Sequence, residues 1–131
     1  MSQANVEVVR QWSEAFNRGD VVGILELADP DIEWWNREDD PGAPVSRGHD
    51  GVRQGLSELG ELAELRVEPK EFIDAGEYVV VPVRLIGHGR ASGAAFEDHE
   101  VHVFKLRGGK VTEGREYREK NEALEAVGLT E

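Results

Sequence analysis

The chain has 131 residues, enough for one domain with one well-formed core, and sets 15 Lys and Arg against 27 Asp and Glu for a formal charge of −12. That balance argues against a nucleic-acid binder, whose footprint is basic, and against attraction to an anionic membrane surface. Cysteine is absent, which excludes disulfides and thiolate chemistry. The N-terminus lacks the basic-then-apolar pattern of a signal, and no apolar run approaches about 18 residues, so the expectation is a cytoplasmic protein with residues 1–131 in a single domain.

Residues 3–18 carry Val6, Val9, Trp12 and Phe16 near helical spacing. Gly19 ends that helix, and Asp20 caps a second one over 21–28 that Pro30 stops. Arg18-Gly19-Asp20 is explained by these two caps rather than by adhesion. A short strand spans 31–36 and contains two adjacent tryptophans. Alternation places Ile32 and Trp34 on one face and Glu33 and Trp35 on the other. The expectation is that Trp34 packs in a core or interface while Trp35 either lines a ligand cavity or covers the hinge of the following loop. That loop, polar with two prolines, runs from Arg37 to Asp50, where Asp50 caps a third helix over 51–64. His49 reads as exposed.

The period then changes to two. Strands are expected near 66–74, 77–90, 95–107 and 111–118, with turns at Ala75-Gly76, 91–94 and 107–110, and a final helix over 119–127. Helices first and an antiparallel meander after them mean α+β, with helices on one face of a curved sheet whose open mouth suits a ligand.

This order, with "VEVVRQWSEAFNRGDVVGILELADPDIEW", "GHDGVRQGL", "HVFKLRGGKVTEGREY" and "NEALEAVGL" in sequence, resembles the nuclear-transport-factor-2-like superfamily and its SnoaL-like branch. The resemblance implies a cone-shaped barrel of curved, antiparallel or mixed sheet wrapped around three N-terminal helices. It also implies a homodimer through the outer sheet face and an apolar pocket with one or two deep polar groups. That branch includes isomerases, cyclases, dehydratases, epoxide hydrolases and non-catalytic binding domains, so fold does not settle function.

Position by position, the proton-abstracting aspartate of ketosteroid isomerases falls on Trp35, and their oxyanion tyrosine falls on Trp12. An indole N–H only donates, which removes steroid-type isomerisation. "GREYR" resembles the strand of epoxide hydrolases and cyclases that ends in a catalytic acid, and Glu116 falls on that acid. The hydrolases' arginine and aspartate on the preceding strand match Glu100 and His102, so the arginine that bridges their two acids is missing.

Alternation still puts Glu100, His102, Phe104 and Leu106 on one face. If Glu116 faces that side from the next strand, its carboxylate holds one imidazole nitrogen and the other shuttles protons. His102 and Glu116 are therefore the candidate catalytic residues, with Trp12, Trp35, Phe104 and Glu100 as substrate-binding candidates. The competing reading is a buried histidine satisfied by a glutamate, purely structural. His99 and His102 lie on opposite strand faces and cannot share an ion, so neither metal nor organic cofactor is expected. Arg84 reads as an interface salt bridge or as a contact for an acidic ligand, and "GHGRASG" as a bulged hairpin end. Two functions stay open. One is a cofactor-independent enzyme acting on a small apolar or aromatic molecule by cyclisation, dehydration or water addition. The other is a non-catalytic dimeric binding module of the same fold, and an interaction module using the outer sheet is compatible with it as well.

Overall fold

The computed structural model describes residues 2–40 and 44–129; Pro41, Gly42 and Ala43 of the expected loop lie outside the described residues. Helix α1 spans Ser2–Arg18. Gly19 takes φ 71°, the left-handed turn that only glycine adopts cheaply, and Asp20 then accepts from the Gly23 amide to start α2, Val21–Glu26. Because α2 ends at Glu26, strand β1 begins earlier than expected and runs through Pro30, over Ala28–Trp35. Strand β2, Val45–Arg47, pairs antiparallel with β1 inside the segment expected to be loop. Helix α3, Gly48–Leu62, follows with Arg47 rather than Asp50 at its N-cap; Asp50 lies in the first turn.

Strands β3 (Ala63–Pro69), β4 (Ile73–Ala75), β5 (Tyr78–Gly89), β6 (Ala95–Arg107) and β7 (Lys110–Tyr117) lead to helix α4, Lys120–Ala126. The sheet order is β2-β1-β7-β6-β5-β3, with β4 also on β5. All pairings are antiparallel except β1 with β7. The curved mixed sheet with helices on its inner face is the expected α+β cone, but it stays open between β2 and β3 rather than closing into a barrel. Pro82 sits in β5 where the outer pairing passes from β3 to β4, so its missing N–H interrupts no ladder there. The edge of β3 is partly blunted by Asn17, whose side chain exchanges two hydrogen bonds of 2.9 Å with the Val67 backbone.

The inner core joins Val9, Trp12 and Ala15 of α1 to Ile24, Ile32, Val79, Val81, Val83 and Phe104. A smaller outer cluster buries Val80, Val101 and Val103 under Ala123 and Leu124 of α4. Among the described residues, no helix is long and apolar enough to cross a membrane.

Candidate functional site

The register decides which side chains meet. His102 stands directly opposite Glu116, and Phe104 opposite Gly114, across β6 and β7; Trp34 stands opposite Gly114 across β1 and β7. Alternation then sends Trp34, His102, Phe104 and Glu116 to the inner face together. Glu116 and His102 thus project inward from adjacent strands, as expected, and Trp12 reaches Trp34 and Phe104 from α1.

The bonds between them differ from expectation. His102 Nε2 lies 2.9 Å from Glu100 Oε1, two residues along its own strand, rather than on Glu116. Glu116 Oε2 instead accepts a 2.7 Å hydrogen bond from Trp34 Nε1–H. His102 and Glu100 side chains are only 12% and 11% exposed, so this charge-assisted contact sits where water screens it little. A raised Glu116 pKa follows first from burial, which disfavours the carboxylate, and secondarily from the charge of Glu100. His102, the Trp34 indole and the Arg37 backbone N–H all act the other way without reversing it. Glu116 is thus biased toward the neutral acid, beside an imidazole whose orientation Glu100 fixes.

Of the two adjacent tryptophans, Trp34 packs on the inner core as expected and Trp35 does not line the cavity. The Trp34 indole stacks on Trp12 at 5.7 Å and 11°, and meets Phe104 and His102 edge-on at 5.5 and 5.6 Å. Trp35 faces outward, with the guanidiniums of Arg115 and Arg47 at 4.7 and 5.8 Å from its ring and a buried Nε1 that has no hydrogen-bond partner among the described residues. The period-two face assignment holds, but the inner face belongs to Ile32 and Trp34. Gly114 makes the arrangement possible, because a Cβ there would fall 2.1 Å from Trp34 Cε3. The indole lies flat across the strand into the space that a side chain would fill. The expected open apolar funnel is consequently filled at its centre by Trp34. Two hollows lie elsewhere: one of about 380 Å³ is bounded by Phe16, Leu56 and Leu65, and one of about 210 Å³ lies beside α4 on the outer face.

A residue missed in the sequence completes the site. Arg37, just past β1, puts its guanidinium 3.3 Å from Glu100, 3.4 Å from Asp98 and 3.1 Å from Asp39. Burial opposes its charge, but these carboxylates outweigh that and raise its pKa. Its backbone N–H also donates to Glu116. Arg37 therefore touches both carboxyl groups, Glu100 through its guanidinium and Glu116 through its backbone N–H, without replacing the arginine missing from the matching strand position. No strand period marks Arg37, whereas the glycine inside the strand pattern "EGREY" was a legible sign of close approach.

The remaining expected positions fall outside the site. Arg84 is held on the outer face by Glu68 at 3.0 Å and Glu97 at 2.9 Å, so it is an intramolecular ion-pair residue. His49 is half-buried, with Nε2 3.0 Å from the Ala28 carbonyl oxygen, rather than free in solvent. His99 points away from His102 and lies 3.3 Å from Glu97. Among the described residues, Glu100, His102 and Glu116 are the group that could hold a metal ion, with one ligating atom each within 4.8 Å of the others. The Arg37 guanidinium already supplies a cation to Glu100 in that group.

The chain matches the SnoaL-like domain family over residues 9–114. It is 32% identical to a nuclear-transport-factor-2-like protein from Burkholderia xenovorans LB400, over 98% of each chain, with a TM-score of 0.79. A protein of the same type and of unknown function from Burkholderia pseudomallei K96243 is 26% identical, over 98% of this chain and 100% of that one, with a TM-score of 0.81. TerC, co-crystallised with polyporic acid, is 26% identical over 95% of this chain and 98% of its own, with a TM-score of 0.80. No curated protein matches the chain.

Proposed function

Since the chain belongs to the SnoaL-like domain family, we propose that it is a small-molecule enzyme of that type. In this reading Glu116 gives a proton and His102, oriented by Glu100, takes one, in a step such as enolisation, cyclisation, dehydration or water addition. The observation that carries it is the pairing of a buried carboxyl biased toward its acid form with an imidazole fixed by a second carboxylate. Such an asymmetric pair holds an acid and a base in one site at the same pH. Trp12, Trp34 and Phe104 form the apolar wall, and TerC's co-crystal with polyporic acid supports reading this fold as a small-ligand site. The homodimer that the resemblance implies would use the outer strip around Trp35, Arg47 and Arg115, because α4 already covers Val80, Val101 and Val103.

A second reading, a non-catalytic binding module, is favoured by one observation: Trp34 fills the middle of the cone. Deuterium uptake from heavy water at the α-carbon of 2-tetralone, followed by mass spectrometry, separates the two. The acid–base reading expects labelling above buffer that falls roughly 100-fold in His102→Gln, the scale of general acid–base catalysis. Labelling no faster than buffer, or unchanged in folded His102→Gln, leaves the binding module.

A further inference from the structure

Three ligating side chains converge on one point of the inner face. Glu100, His102 and Glu116 each offer a donor atom, and these atoms lie within 4.8 Å of one another. The register builds the triangle: His102 stands across the ladder from Glu116, and Glu100 lies two residues along β6 on the same face. One edge, His102 Nε2 to Glu100 Oε1, is 2.9 Å. Donors bonded tetrahedrally to zinc at about 2.1 Å stand roughly 3.4 Å apart, so shifts of roughly 0.5–1.5 Å, within reach of side-chain rotation, seat an ion. These are not solvated surface acids. Little of His102 or Glu100 is exposed, and Glu116 is buried deeply enough to raise its pKa.

An outer layer already orients the set. Trp34 Nε1–H holds Glu116 Oε2 at 2.7 Å, and Arg37 holds Glu100 Oε2 at 3.3 Å while Glu100 Oε1 turns to His102. Carboxylate and imidazole ligands of metal ions are fixed from behind in this way. Arg37 is itself a cation, but Asp39 and Asp98 accept it at 3.1 and 3.4 Å, so its charge is matched without the inner oxygen of Glu100. Two carboxylates balance a divalent ion, and an imidazole nitrogen among the donors selects a first-row transition ion over Mg²⁺ or Ca²⁺. We propose that Glu100, His102 and Glu116 bind one divalent transition-metal ion of the zinc type in place of the proton that His102 and Glu116 share, and that this form is closed to acid–base chemistry. The displaced proton leaves to water. His102 gives its lone pair and Glu116 its carboxylate to the ion, so neither is left to take or give a proton. This rests on the reading of the pair as the acid–base site, and it adds regulation of that site by a metal ion.

The test titrates Zn²⁺ by calorimetry into the full chain, free of added tags and stripped with a chelator, and reads the ligand set from the visible absorption of Co²⁺ in its place. The expected result is one ion per chain. His102→Ala and Glu116→Gln should each weaken it roughly 100-fold, and Trp34→Phe, which keeps a ring but removes the N–H behind Glu116, about tenfold. A double variant, His88→Ala with His99→Ala, should bind unchanged, because those histidines meet exposed glutamates on the surface. The absence of stoichiometric binding, binding that survives His102→Ala or Glu116→Gln in folded protein, binding lost in the surface double variant, or displacement by Mg²⁺ overturns the proposal. Labelling of 2-tetralone should fall at saturating Zn²⁺ and return with chelator, and labelling that continues overturns the closure. The outcome is separable from the acid–base reading. His102-dependent labelling without ion binding removes only the metal site, whereas ion binding without labelling in the stripped protein removes only the chemistry.

Discussion

Gly114→Ala is the sharpest perturbation of the site, because it changes one atom at a defined contact. The added methyl would sit 2.1, 2.2 and 2.9 Å from three carbons of the Trp34 indole. Ordinary carbon contacts lie near 3.5–4.0 Å, so the ring must lift by roughly 1.5 Å. Trp34 cannot lift freely: Trp12 is stacked on it, and Nε1 is fixed to Glu116 at 2.7 Å. Overpacking a tight contact costs about 1–3 kcal/mol, and losing a hydrogen bond to a buried carboxyl adds about 1 kcal/mol. Alanine's smaller unfolded-state entropy returns about 0.5–1 kcal/mol, since Gly114 does not need a positive φ. The net expectation is about 2–3 kcal/mol lost in urea unfolding, or a Tm lower by roughly 6–12 °C. Repeating the substitution in a Trp34→Ala background isolates the contact, and there the methyl should cost less than about 0.5 kcal/mol or stabilise. An equal loss in both backgrounds would refute the claim that Gly114 exists to seat the indole.

Two further outcomes follow from the same geometry. Asn17→Ala should cost about 1–2 kcal/mol and speed hydrogen exchange at the Val67 amide, because both 2.9 Å bonds to the edge strand go with one side chain; unchanged exchange would contradict the edge role. Glu116→Gln should grow relatively more stable than the parent as pH rises above about 4.5 and through the raised folded midpoint, read as the difference in Tm. Unfolded, the Glu116 carboxyl titrates near 4.5, and folded it titrates higher, so in between the folded state holds the extra proton. The parent therefore loses stability as pH rises through that window, and the glutamine variant does not. A difference in Tm that stays flat with pH would contradict the raised carboxyl.

Much of this was legible in the chain. The caps at Gly19 and Asp20, the switch from period 3.6 to period 2, and the turns at Gly76 and 107–110 carry local chemistry, and they placed the elements to within a few residues. Alternation also settled that His102, Phe104 and Glu100 share a face and that Trp34 and Trp35 do not. What alternation cannot supply is which of two opposite faces is inner. That depended on Gly114, a residue six strands later in chain order but on the neighbouring strand of the sheet, opening space for Trp34. The partner of His102 was missed for a similar reason. Glu116 stands directly across the ladder, but Glu100 lies on the same strand face and turns back to the ring, while the Trp34 N–H takes Glu116. Arg37 enters from an irregular segment after β1, where no period constrains a side chain, and only the folded chain brings it to both acids.

The central claim is that burial raises the Glu116 carboxyl above its ordinary range beside an oriented imidazole. Side-chain carboxyl ¹³C shifts followed across a pH titration measure this directly. The account predicts a Glu116 midpoint above the ordinary glutamate value of about 4.3, moving higher still in His102→Ala, because His102 favours the ionised form. A midpoint at or below the ordinary value, or one indifferent to His102, would contradict it.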